Sequence, residues 1–97
     1  MLKILLVCNA GMSTSIMAKK MEEEGKGDVS VNAVGVSEYV EHAPNADVLL
    51  VGPQIRFQAD EIKKNVEIPV MVMNFQKYGM MDAKGILNDV YQEIKTI

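Results

Sequence analysis

Cys8, the only cysteine in the chain, stands where an apolar run, Leu2-Lys3-Ile4-Leu5-Leu6-Val7, meets a small and polar one, Asn9-Ala10-Gly11-Met12-Ser13-Thr14-Ser15. A strand ending at Cys8 with a helix starting just beyond it would aim backbone N–H groups, and the positive end of the helix dipole, at the sulfur. A thiol in that setting ionises more readily than an ordinary one, and the thiolate is the attacking species. The same donors suit the oxygens of a phosphoryl group bonded to the sulfur. Ala10 and Gly11 are small enough for close wrapping, and Ser13, Thr14 and Ser15 add hydroxyls. Covalent phosphate chemistry is the expectation at this turn, with an exposed sulfur at the strand end. The competing reading is a buried cysteine acting as a small hydrophobe, followed by a serine-rich helix cap.

What is missing narrows the chemistry. A cysteine phosphatase of the small tyrosine-phosphatase type carries an arginine six residues after its nucleophile, a guanidinium that clamps the phosphate. Here that position is Thr14. Asp82 remains open as a general acid, but slow hydrolysis is expected, so a phosphorylated Cys8 would last long enough to hand its group on. A receiver domain needs acidic residues at the ends of its first and third strands, where this chain has Cys8 and Gly52. Neither the Gly-x-x-x-x-Gly-Lys-Ser/Thr loop nor a Gly-x-Gly-x-x-Gly turn is present. His42 falls outside the loops around Cys8 and is not expected to carry phosphate.

The elements that would hold this turn are legible. Leu2–Val7, Val29–Val34, Val48–Val51 and Pro69–Met73 are short apolar runs; the second alternates, as an edge strand does, and the others are nearly continuous, as buried parallel strands are. Between them, Ser13 or Thr14 caps a helix to about Glu24, with Ile16, Met17 and Met21 inside and Gly25-Lys26-Gly27 ending it. Ser37 caps a short helix that Pro44 stops. Ile55, Ala59, Ile62 and Val66 form one helical stripe, and Asp82 caps a last helix bearing Ile86, Leu87, Val90, Tyr91 and Ile94. Alternation of this kind predicts an α/β fold: one domain over residues 1–97, a three-layer α-β-α sandwich on a four-stranded parallel sheet of order 2-1-3-4. Ligands in such sheets bind beyond the carboxyl ends of the strands, where Cys8, Gly35, Gly52-Pro53-Gln54 and Asn74–Gly79 gather.

Composition sets outer limits. Ninety-seven residues suit one core, and a net charge of −3 with few aromatics gives no reason to expect nucleic acid. Residues 1–21 hold Lys3, Lys19 and Lys20 and no carboxylate, which predicts positive surroundings for Cys8; Glu22-Glu23-Glu24 reads as a solvated face. A lone cysteine excludes an internal disulfide and suits a reducing cytoplasm, and no Cys/His spacing suggests a metal, so no cofactor is expected. The apolar start is too short for a signal peptide, and no run nears the length of a membrane helix. Met71, Met73, Met80 and Met81 read as core filler, whereas Met12 either anchors a partner or packs back onto the domain.

The run Cys8–Ser15 after an N-terminal strand resembles the phosphocysteine loop of enzyme IIB of the bacterial sugar phosphotransferase system, lactose/cellobiose (chitobiose) class. Ala46-Asp47-Val48 leading to Gly52-Pro53-Gln54-Ile55, and Tyr78-Gly79 after the fourth strand, extend the resemblance over essentially the whole chain. It implies a cytoplasmic phosphoryl carrier, associated with the inner face of the membrane through its transporter. Cys8 takes phosphate from a phosphohistidine of enzyme IIA and passes it to a cellobiose-, chitobiose- or lactose-type sugar held by membrane enzyme IIC. Residues Asn9, Ala10, Gly11, Met12, Ser13, Thr14 and Ser15 would bind the phosphoryl group, with Gln54 and Tyr78 lining the site or the partner surface. No stable oligomer is expected. Two other readings stay open: a hydrolase or reductase using Cys8, and a non-catalytic regulatory module on the same fold.

Overall fold

A computed structural model describes residues 2–8 and 11–95, without the side chains of residues 11–14 and 95. The elements run β1 (Leu2–Cys8), α1 (Gly11–Glu24), β2 (Val29–Gly35), α2 (Tyr39–His42), β3 (Val48–Val51), α3 (Ala59–Asn65), β4 (Val70–Val72), α4 (Phe75–Gly79) and α5 (Ala83–Lys95). Short 3₁₀ segments occupy Ala43–Asn45 and Pro53–Gln58. All strand pairs are parallel, and the order is β2-β1-β3-β4, as predicted.

The sheet separates two apolar layers, which follows from the alternation of side chains along each strand. Ile4 and Leu6 of β1 face Met17 and Met21 of α1 and Ile86 and Val90 of α5. Leu5 and Val7 face Tyr39 of α2, Ile55 of the 3₁₀ segment after β3 and Ile62 of α3. Every residue of β3 is buried, which explains its unbroken Val-Leu-Leu-Val run: a central strand covered on both faces has no polar side to show.

Several boundaries differ from the sequence reading. α1 begins at Gly11, so Ser13 and Thr14 lie in its first turn rather than at the cap. Ile16 is exposed at 52%, and the inner face is instead Met17, Ala18 and Met21. Glu38, not Ser37, precedes α2, and no side chain caps it; Pro44 does not stop the segment but sits at the start of a 3₁₀ turn, where a missing N–H costs nothing. The stripe from Ile55 to Val66 is one face on two pieces: Ile55 leaves helical geometry (φ −119°, ψ 26°) before α3 starts. α4 lies within Asn74–Gly79, where the sequence predicts no helix. Its nucleus is Asn74, whose Oδ1 accepts from Lys77 N at 3.0 Å. Met80 is exposed at 79%, so of the four later methionines it is not core filler.

Other expectations hold. Lys26 (φ 51°) and Gly27 (φ 90°) turn the chain after α1. Asp82 caps α5 through Oδ1, which accepts from Gly85 N at 3.0 Å. β2 is an edge strand, and Glu22 is more than a solvated charge: its carboxylate accepts from Val31 N at 3.0 Å.

Candidate active site at the end of the first strand

β1 delivers Cys8 to the carboxyl edge of the sheet, in register with Gly35 of β2. On the other side Gly52 N donates to Val7 O at 2.8 Å, which places the end of β3 beside the cysteine. α1 starts three residues later, at Gly11. Its first-turn N–H groups have no acceptor within the helix, and by topology they belong to this same edge.

The sulfur is not open as predicted: Cys8 is 3% exposed. Its neighbour across the sheet explains part of the cover. The chain turns tightly after β3, with Ile55 N donating to Gly52 O at 3.0 Å, and this brings the Gln54 side chain back over Cys8. The thiol donates to Gln54 Oε1 at 3.7 Å. Gln54 itself is exposed, on a backbone held between buried Pro53 and buried Ile55.

Gly52 is placed at this edge by the sequence, but without a part in the site. Its backbone angles (φ −61°, ψ 143°) are open to any residue, so conformation does not demand glycine there. Clearance does. A Cβ at position 52 would lie 2.9 Å from Cys8 Sγ, 3.2 Å from Gln54 Oε1 and 3.3 Å from Cys8 Cβ. The signal available in sequence was a glycine closing an otherwise bulky strand, Val48–Val51, beside the strand that ends in the cysteine.

The remaining predicted site residues divide. Asn9 and Ala10, and the side chains of Gly11, Met12, Ser13 and Thr14, lie outside the described residues. Ser15 is exposed on α1. Tyr78 is 6% exposed and packs into the layer formed with Met17, Met73 and Ile86, so its ring is part of the core beneath the edge. Of the lysines expected to make these surroundings positive, Lys3 does not. Lys3 sits at the opposite end of β1, roughly 17 Å of extended chain from Cys8, in a cavity it shares with Ser30, Asn32 and His42. Lys20 lies beside Glu23, Glu24 and Asp82. His42 is thus remote from the cysteine. Asp82 is engaged with α5, and among the described residues no cluster of His, Cys, Asp and Glu is placed to hold a metal.

Fold and site together define a class: a parallel α/β sandwich carrying its one cysteine at the end of the first, central strand. Comparison with known proteins narrows it. Residues 3–89 match the family described as "PTS system, Lactose/Cellobiose specific IIB subunit". The chain is 39% identical over 90 residues to the oligo-beta-mannoside-specific EIIB component of Bacillus subtilis, covering 87% of each chain. It is 38% identical over 96 residues to the galactose-specific EIIB component of Lactococcus lactis subsp. cremoris and to the cellobiose-specific EIIB component of Lactococcus lactis subsp. lactis, with 87% of this chain and 88% of each relative covered. Among solved structures, a cellobiose-specific phosphotransferase IIB component from Borrelia burgdorferi matches at a TM-score of 0.72 and 34% identity, over 90% of this chain and 85% of that one. The lactose-specific IIB domain from Streptococcus pneumoniae shares the fold at a TM-score of 0.81 and 18% identity, over 94% of this chain and 95% of that one. The chain belongs to the lactose/cellobiose-specific IIB family: it is a sugar-specific component of a phosphotransferase system.

Proposed function

We propose that Cys8 is the residue through which this IIB component passes phosphate, from a phosphohistidine of a IIA protein to a sugar bound by a membrane IIC transporter. The observation that carries the reading is position: the only cysteine of a IIB chain ends the central strand, three residues before α1. In the first step the thiol gives up its proton and Sγ attacks phosphorus in line. The S–P bond forms as the N–P bond breaks, and the departing imidazole nitrogen takes up a proton. In the second, a sugar hydroxyl oxygen attacks, the S–P bond breaks, and the sulfur regains a proton as the hydroxyl loses one. Positioning and charge stabilisation do most of the work in such transfers. The α1 amides and the hydroxyls of Ser13, Thr14 and Ser15 supply it here.

Burial of the sulfur adds a requirement. Attack needs an open approach, so the cover over Cys8, to which exposed Gln54 contributes, must rearrange when IIA docks. The whole chain acts as one domain in the cytoplasm, at the inner face of the membrane while IIC is engaged. Among the described residues no helix is long and apolar enough to cross a membrane. Phe57 and Phe75, exposed at 76% and 70%, lie on the segments that follow β3 and β4, at the edge where both partners would approach. Relatives named for oligo-beta-mannosides, galactose and cellobiose are equally similar to this chain. A cellobiose-, chitobiose- or lactose-type sugar fits this range, with selection among them made in IIC.

The test is direct. Incubated with phosphorylated IIA, the chain gains one phosphoryl group by intact mass, and Cys8→Ser gains none. Steady release of inorganic phosphate from an aryl phosphate would favour a hydrolase instead, and no transfer from any IIA would favour a binding module.

A further inference from the structure

The meeting of Cys8, Gly52 and Gln54 supports a more specific role for one side chain, and this role rests on the phosphoryl-transfer reading of the same site. We infer that the Gln54 carboxamide is a reversible partner of Cys8: Oε1 accepts from the thiol in the resting protein, and Nε2 donates to the cysteine once it carries negative charge, as thiolate or as phosphocysteine.

Three observations lead there. The thiol donates to Gln54 Oε1 at 3.7 Å. That bond favours the neutral thiol, the form that does not attack. Left in this orientation, the amide oxygen would confront a thiolate or a phosphoryl oxygen with a second acceptor and repel it. Next, the position of the amide is built. Pro53 and Ile55 are buried on either side, while the Gln54 side chain is exposed and its terminal torsion is free to turn. Finally, the bare face of Gly52 leaves room where sulfur and amide oxygen meet, since a Cβ there would lie within 3.2 Å of both. A carboxamide is the side chain that offers an acceptor and a donor from one planar head, exchanged by half a turn. The donor bond to an ionised sulfur or a phosphoryl oxygen is charge-assisted and the stronger of the two.

This arrangement has a signature that a fixed, merely covering glutamine lacks. If Oε1 stayed the partner in both states, removing the amide would free the thiolate and lower the midpoint of thiol ionisation. If the amide turns, removal costs the thiolate its donor and raises that midpoint. The experiment titrates Cys8 in the full chain, unphosphorylated, through the pH dependence of its alkylation rate. It compares the native protein with Gln54→Leu, Gln54→Met and Gln54→Glu. The charged groups on neighbouring elements stay the same throughout: Arg56 on the same segment, Glu38 beside Gly35, and Lys77 paired with Asp89.

The expected result is a higher midpoint in the Leu and Met variants, and a larger rise, of about one pH unit or more, in the Glu variant, whose ionised carboxylate accepts and cannot donate. With phosphorylated IIA as donor, phosphoryl acceptance falls by roughly 10-fold or more in all three variants, in line with the loss of one donor to a developing charge. A midpoint unchanged or lowered in both Gln54→Leu and Gln54→Met overturns the inference. Because the titration uses no partner, it decides the role of Gln54 separately: failure of the native chain to accept phosphate would sink the relay reading and leave the titration standing.

Discussion

The backbone of Gly52 passes Cys8 so closely that a single added methyl group would lie 2.9 Å from the sulfur. Nothing else about position 52 excludes a side chain, so the glycine is there for clearance at the sulfur. Gly52→Ala should force the sulfur or the Gln54 amide to shift by several tenths of an ångström. The expected cost is about 1–3 kcal/mol of stability and on the order of a 10-fold loss in the rate of phosphoryl acceptance. Thermal unfolding and the transfer assay measure the two separately; unchanged transfer in a folded variant would contradict the clearance argument.

Cys8→Ser removes the proposed nucleophile and leaves a hydroxyl from which Gln54 Oε1 can still accept. Unfolding in urea should show a loss of about 1–2 kcal/mol from exchanging a buried sulfur for a hydroxyl. Transfer should vanish. A serine variant that acquires phosphate from IIA at a comparable rate would place the acceptor elsewhere.

How the chain displays the site explains what was legible in it. The order of strands, the edge at which Cys8 lies and the cap at Asp82 follow from local signals: unbroken apolar runs, glycine-ended helices and a side chain three residues before an N–H. Three features depended on contacts between distant segments and left only a faint trace. Burial of the sulfur under Gln54, 46 residues away, is set by the tight turn after β3. Lys3 and Cys8 are close in the chain, yet β1 is extended and holds them at its opposite ends. Ile16 and Met80 carry apolar side chains outward because the inner faces of α1 and of the segment after α4 are already filled by Met17, Met21 and Tyr78.

Asp82 offers a control for the chemistry. Its carboxylate is engaged in capping α5, with Oδ1 accepting from Gly85 N. Asp82→Ala should cost about 1 kcal/mol and Asp82→Asn nearly nothing, because asparagine caps as well. Both should leave phosphocysteine lifetime unchanged. A marked lengthening of that lifetime in Asp82→Asn would instead give this residue the part of a general acid.

Glu22 covers a vulnerable edge. β2 is the outer strand along seven residues, and the Glu22 carboxylate occupies the Val31 N–H, a group that would otherwise be open to another strand. Glu22→Ala should lower stability by about 1 kcal/mol. It should also raise self-association in sedimentation at high protein concentration. Monodisperse behaviour equal to the native chain would mean the edge is protected by other means.

A cysteine with 3% exposure has one further consequence, for chemical durability. Oxidants and alkylating metabolites act on accessible thiolates. A sulfur that rests beneath a glutamine meets them rarely, and on the proposed relay would be laid bare only while a IIA or IIC partner fills the approach. The same cover would therefore spare the chain the irreversible sulfinic and sulfonic acids that would end its working life.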